Sequence, residues 1–134
     1  MDNFLIIRLS SLGDIIHTLP AFSALRKNFP GAKISWLVEG KGKEILELVP
    51  GIDRVIVAMT KGALFSRKFW AEMSRLKKEL KQENAVALDF QGLLKSGFFA
   101  SLSGAKKRIG FNWKNLREPL AALFYTERLE EVPE

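Results

Sequence analysis

Short apolar runs alternate with segments of helical spacing along the whole chain, and this alternation constrains the fold more than any other feature. "FLIIRLS" (Phe4 to Ser10), "ISWLVE" (Ile34 to Glu39), "RVIVA" (Arg54 to Ala58), "AVALDF" (Ala85 to Phe90) and "KRIGF" (Lys107 to Phe111) read as strands. Between the first two, Ile15, Leu19, Phe22 and Leu25 recur at four, three and three, which predicts a helix from about Asp14. Pro20 falls inside it, removes a backbone donor and predicts a kink or local distortion. "FPGAK" and "PGID" are turn signals, with a short helix expected at about Gly42 to Leu48. Phe69, Met73, Leu76 and Leu80 recur at four, three and four, with Arg75, Lys77, Lys78 and Lys81 on the opposite face. "GLLKSGFFASL" and the stretch from about Leu116 to Tyr125 read as the last two helices, and "TERLEEVPE" as a polar tail.

Strands that alternate with helices need crossovers, and crossovers make a parallel sheet. Right-handed connections then give an α/β, doubly wound, Rossmann-like parallel sheet with helices on both faces. Ligands of such sheets bind beyond the carboxyl ends of the strands, where the strand order reverses. The loop after the first strand is "SSLGD", Ser10 to Asp14. Gly13 lets backbone approach a ligand, Ser10 and Ser11 can donate or accept, and the helix start offers unpaired N–H groups and partial positive charge. An anionic or hydroxylated ligand suits this loop. There is no G-x-G-x-x-G and no G-K-[ST], so a dinucleotide or P-loop nucleotide site has no motif support. Asp14 has two readings that the residue alone leaves open: a helix-capping carboxylate, or a general base. His17, the sole histidine, lies one helical turn on and can orient Asp14 or touch a ligand.

With 134 residues the chain is long enough for one domain with a core. It has no cysteine, which excludes a disulfide scaffold or a thiolate metal site. No apolar run approaches the roughly 20 residues of a membrane span, and Met1-Asp2-Asn3 is not the start of a secretory signal, so a cytoplasmic location is expected. The net charge of +6, from 21 basic and 15 acidic residues, suits an anionic partner such as a phosphorylated or carboxylated sugar or a membrane surface. Nucleic acid is not expected, because no recognition motif accompanies the charge.

"LIIRLSSLGDIIHTLPAFSALRKNFPGAKISWLVE", "ALDFQGLLKSG" and "RIGFNWKNLREPLAALFY" together resemble the N-terminal half of glycosyltransferase family 9. Within it they look more like the type I lipopolysaccharide heptosyltransferases than type II, which shares the Gly-Asp opening but not the "QGLLKS" and "WKNLREPLA" flavour. The resemblance implies the first of two Rossmann-like domains of a GT-B fold, with residues 1–128 as the acceptor-binding domain and 129–134 as the start of the linker. The donor domain would lie outside this sequence, and the chain alone is not expected to transfer. The implied reaction is inverting transfer of heptose from ADP-L-glycero-D-manno-heptose to Kdo of lipid A, at the inner face of the inner membrane, with no cofactor and no bound metal. A type II-like transferase and a non-catalytic module for an anionic glycan are the alternatives.

By this resemblance Asp14 is the catalytic base. The acceptor's carboxylates and phosphates call for cations. Lys61, Arg67 and Lys68 occupy the region of the family's basic acceptor loop, and Arg117 in "NLREP" matches a family position. Ser10, Ser11, Gly13, His17, Gln91 and Lys95 complete the expected acceptor-side set. Trp36 and Phe90 read as core, whereas Phe65, Phe69 and Trp70, mixed with basic residues, suit a lipid interface.

Overall fold

The first strand of the chain lies in the middle of the sheet. In this computed structural model, residues 2–59, 66–82, 85–91, 94–110 and 127–128 are described. β1 (Asn3–Ile7) leads to α1 (Leu12–Asn28), β2 (Ile34–Glu39), α2 (Gly42–Leu46) and β3 (Arg54–Ala58). Then follow α3 (Arg67–Leu80), β4 (Ala85–Asp89), α4 (Leu94–Leu102), β5 (Lys107–Gly110) and β6 (Glu127–Arg128). The sheet order is β3-β2-β1-β4-β5-β6, and every pairing is parallel. Strand order reverses between β1 and β4, where Ile7 stands opposite Asp89.

Alternate residues of β1 serve two cores because successive side chains of a strand face opposite ways. Leu5 and Ile7 pack with Leu37, Ile56, Met73, Leu76, Leu80 and Phe99, under α3 and α4. Phe4 and Ile6 pack with Ile34, Trp36, Val38, Ile15 and Phe22, under α1 and α2. The connections that run leftward from β1 carry α1 and α2, and those that run rightward carry α3 and α4, so right-handed crossovers put the pairs on opposite faces. Each fully buried Leu, Ile or Phe contributes roughly 1.5–3 kcal/mol, and Leu5, Ile6, Ile7, Trp36, Leu37, Leu76 and Phe99 are all below 2% exposed.

The expected doubly wound sheet is therefore observed, with shifts at the element ends. α1 starts at Leu12 because Ser11 is its N-cap. It continues unbroken through Pro20; Ile16, whose carbonyl loses its usual partner there, is exposed along with Pro20, so water can satisfy it. Beyond the five expected strands, Glu127–Arg128, at the end of the expected domain, adds a sixth beside Ile109–Gly110. That pairing uses backbone groups alone, which side-chain polarity does not report. The expected helix from Leu116 to Tyr125 lies outside the described residues.

Candidate functional site

β1 and β4 end side by side at the switch point, and the segments that follow them are stitched together there. Gln91, just beyond β4, is buried, and its side-chain oxygen accepts the N–H groups of Leu9 at 3.0 Å and Ser10 at 3.4 Å. Two donors facing it fix that oxygen's identity. The Gln91 N–H in turn donates to Asp89 Oδ1 at 2.9 Å, and Ser96 of α4 donates its hydroxyl to Asp89 Oδ2 at 2.9 Å. On the other side, the Glu39 N–H donates to the Leu9 carbonyl at 2.9 Å, and Trp36 Nε1 donates to the Arg8 carbonyl at 3.2 Å. Trp36 is core, as expected, and it also holds this loop.

Asp14 stands at the start of α1 with both carboxylate oxygens engaged. Oδ2 accepts the Ser11 N–H at 3.3 Å and its hydroxyl at 3.1 Å, which is the returning half of a capping box. Oδ1 lies 3.2 Å from Arg8 Nη2. The two readings of Asp14 are thus compatible: it caps α1, and at 45% side-chain exposure it still presents its carboxylate at the carboxyl edge of the sheet. Arg8 is the side chain that sequence reasoning missed. It is only 15% exposed, donates from Nη1 to the Phe90 carbonyl at 2.5 Å, and so joins the end of β4 to Asp14. A charge interrupting an otherwise apolar run was the available signal.

Ser10, Ser11 and Gly13 are exposed around this pair, as a ligand-facing loop requires, and a Cβ at Gly13 would meet nothing within 4 Å. No protein atom crowds that position. His17 is exposed on α1, while the Asp14 carboxylate faces Arg8 and Ser11. Lys95, in the first turn of α4, lies at the same edge but is ion-paired: its Nζ is 2.9 Å and 3.1 Å from the two carboxylate oxygens of Glu39. Arg67 and Lys68 are exposed in the first turn of α3, beyond β3 and two strands from the Asp14 loop. Ser66 caps that helix, accepting the Phe69 N–H at 3.2 Å. Lys61 and Arg117 lie outside the described residues.

Nearby, Arg75 is not the solvated charge that its spacing on α3 suggested. It bridges Glu72 at 2.6 Å and Glu79 at 2.7 Å, and donates to the Val57 carbonyl at 2.7 Å, tying α3 to β3. The Arg75 guanidinium is the main cause holding the Glu72 carboxyl below its ordinary value, opposed by burial and helped by the Met59 N–H. An open hollow of about 650 Å³ lies at the opposite, amino edge of the sheet, among Asn3, Lys33, Ser35, Asp53, Arg54 and Gln82. It is far from the switch point, and the chemistry-bearing loop argues for the carboxyl edge instead. Among the described residues, no three His, Asp or Glu side chains are grouped to hold a metal ion.

A doubly wound parallel sheet with an acid-bearing loop at its switch point places the chain in the Rossmann-like class from which GT-B glycosyltransferases are built. Heptosyltransferase WaaC of E. coli, solved with ADP-2-deoxy-2-fluoro heptose, superimposes with a TM-score of 0.88 at 32% identity, over 100% of this chain and 44% of that one. Lipopolysaccharide heptosyltransferase 1 of Escherichia coli (strain K12) is 36% identical over 128 residues, 92% of this chain and 40% of the relative. Its counterpart in Pseudomonas aeruginosa is 37% identical over 90% of this chain and 35% of the relative. Residues 73–133 match the family model of glycosyltransferase family 9 (heptosyltransferase). In sequence and in fold, then, this chain corresponds to the N-terminal part of glycosyltransferase family 9, and it spans about 40% of the length of the curated relatives it matches.

Proposed function

We propose that this chain is the acceptor-side domain of an inverting heptosyltransferase of lipopolysaccharide core synthesis, with Asp14 as its base. The observation that carries the reading is the Asp14 carboxylate, half-exposed at the switch point and held by Arg8 and Ser11. In inverting transfer the acceptor hydroxyl attacks the anomeric carbon opposite the departing nucleoside diphosphate. The new C–O bond forms as the bond to the diphosphate breaks, and the hydroxyl proton passes to a carboxylate on the acceptor side. A positioned base of this kind supplies about 10²–10⁴-fold.

The donor is ADP-L-glycero-D-manno-heptose, and a domain outside this sequence holds it. The acceptor is Kdo on lipid A, whose carboxylates and phosphates meet Lys95, Arg67 and Lys68 along the carboxyl edge, with Lys61 and Arg117 as further candidates. Met59, 63% exposed and sharing a surface hollow with Lys68, and Trp70, 55% exposed on α3, suit contact with an anionic membrane at the cytoplasmic face, where such an acceptor resides. No helix among the described residues is long and apolar enough to cross a membrane. The test is heptose transfer from ADP-heptose to Kdo-lipid A by the full-length protein, wild type beside Asp14→Ala. Transfer falling at least about a hundredfold in a folded variant supports the base. Equal transfer by both leaves Asp14 a helix cap, and no transfer by wild type overturns the substrate assignment.

A further inference from the structure

Arg8 lies at the centre of the site, yet the capping geometry of α1 does not account for it. It follows β1 directly, in a segment where its neighbours Ile6, Ile7 and Leu9 are at most 1% exposed. Bringing a guanidinium to 15% exposure costs hydration, and such burial persists where hydrogen bonds compensate it. Here the compensation is divided. Nη1 donates to the Phe90 carbonyl, Nη2 faces Asp14 Oδ1, and the buried Nε has no partner. An arginine serving packing alone would be expected to satisfy its whole fork. This one spends two arms on two points that must stay in register for the site to work: the end of β4 and the acid of α1.

We propose that Arg8 is a positioning residue for Asp14. It fixes the direction of the carboxylate relative to the β4 edge. The proposal rests on the reading of Asp14 as the base. The fork matters because its planar donors are set at a fixed angle: one arm locked on a backbone carbonyl orients the other. Ser11 engages the other oxygen, since its N–H and hydroxyl both reach Oδ2, so Arg8 and Ser11 hold the two oxygens separately. Glu39 and Lys95 engage each other across the same edge, Asp89 accepts from Gln91 and Ser96, and Arg8 Nη2 faces Asp14 Oδ1.

The experiment compares full-length wild type, Arg8→Gln, Arg8→Lys and Asp14→Ala in heptose transfer, with circular dichroism to verify folding. Arg8→Gln is expected to lose about 10–100-fold in kcat, with the acceptor KM within about threefold, since misplacing a catalytic group by about an ångström costs on this order. The acid limb of its rate profile should move to higher pH, because a cation beside a carboxylate has been removed. Arg8→Lys restores the acid limb but only part of kcat, as charge returns without the fork. A loss confined to KM, or an unmoved acid limb in Arg8→Gln, overturns the proposal.

A second measurement needs no turnover and separates this inference from the functional reading. The Asp14 carboxyl carbon is followed by NMR against pH in wild type and Arg8→Gln. A midpoint that rises in the variant supports the pairing even if heptose is the wrong substrate, and an unchanged midpoint overturns it even if transfer is confirmed.

Discussion

The side-chain oxygen of Gln91 accepts the backbone N–H of Leu9 at 3.0 Å across 82 positions of sequence, inside the protein. That bond, with its partner to Ser10, shapes the loop that presents Asp14. Replacing Gln91 with leucine orphans a buried N–H, which costs about 1–3 kcal/mol. Urea denaturation should show that loss, and amide exchange at Leu9 and Ser10 should accelerate beyond the global change. Gln91→Glu keeps an acceptor in place but buries a carboxylate beside that of Asp89, and should also lose stability. Equal stability in all three proteins would mean the loop is held by its neighbours alone.

Acid should weaken the tie between α3 and β3 through Glu72. Its folded pKa is depressed, chiefly by Arg75, so the contribution is full above the ordinary value of 4.5 and is lost as pH falls through the lower, folded value. The pair is partly exposed, and Glu72→Gln should cost only about 0.5–1 kcal/mol at pH 7. Wild type should then lose more stability than Glu72→Gln between pH 5 and pH 3, in matched denaturation series at about these values. Parallel curves would show that the ion pair contributes nothing measurable.

Lys95 and Glu39 make opposite predictions for acceptor binding. Their ion pair is exposed on the lysine side, so breaking it should change stability by no more than about 1 kcal/mol. If Lys95 meets the acceptor's anionic groups, Lys95→Ala raises the acceptor KM with kcat little changed, the pattern of lost uniform binding. Glu39→Gln frees the lysine and should lower that KM. Steady-state kinetics on the full-length protein, repeated across a salt series, check both. A KM unmoved by either substitution removes Lys95 from the acceptor surface.

Local patterning made the elements legible. β2 and β3 occupy the spans their apolar runs predict, and Met73, Leu76 and Leu80 are buried as their spacing requires. Strand and helix periods are properties of neighbouring residues, so they survive in the sequence. The arrangement of the site is not local. Arg8 acts through Phe90, and Lys95 is engaged by Glu39, 56 positions away, contacts that only the assembled sheet creates. Arg75 is the intermediate case: Glu72 and Glu79 stand three and four residues from it, a spacing already visible in the sequence, whereas its bond to the Val57 carbonyl was not.

Because β1 occupies the middle of the sheet, the order of synthesis and the order of assembly run against each other. The segment bearing Asp14 is synthesised before the strands that flank it, but one of those strands ends only at Asp89 and the glutamine that shapes its loop comes at position 91. Until then β1 can pair with β2 alone, leaving its other edge and the Arg8 guanidinium without their β4 partners. Long-range parallel pairing of this kind is slow and leaves unpaired edges at risk of association. A nascent chain halted before Asp89 would therefore carry the whole "SSLGD" motif with its β2-side bonds and none of the β4-side bonds that complete its setting.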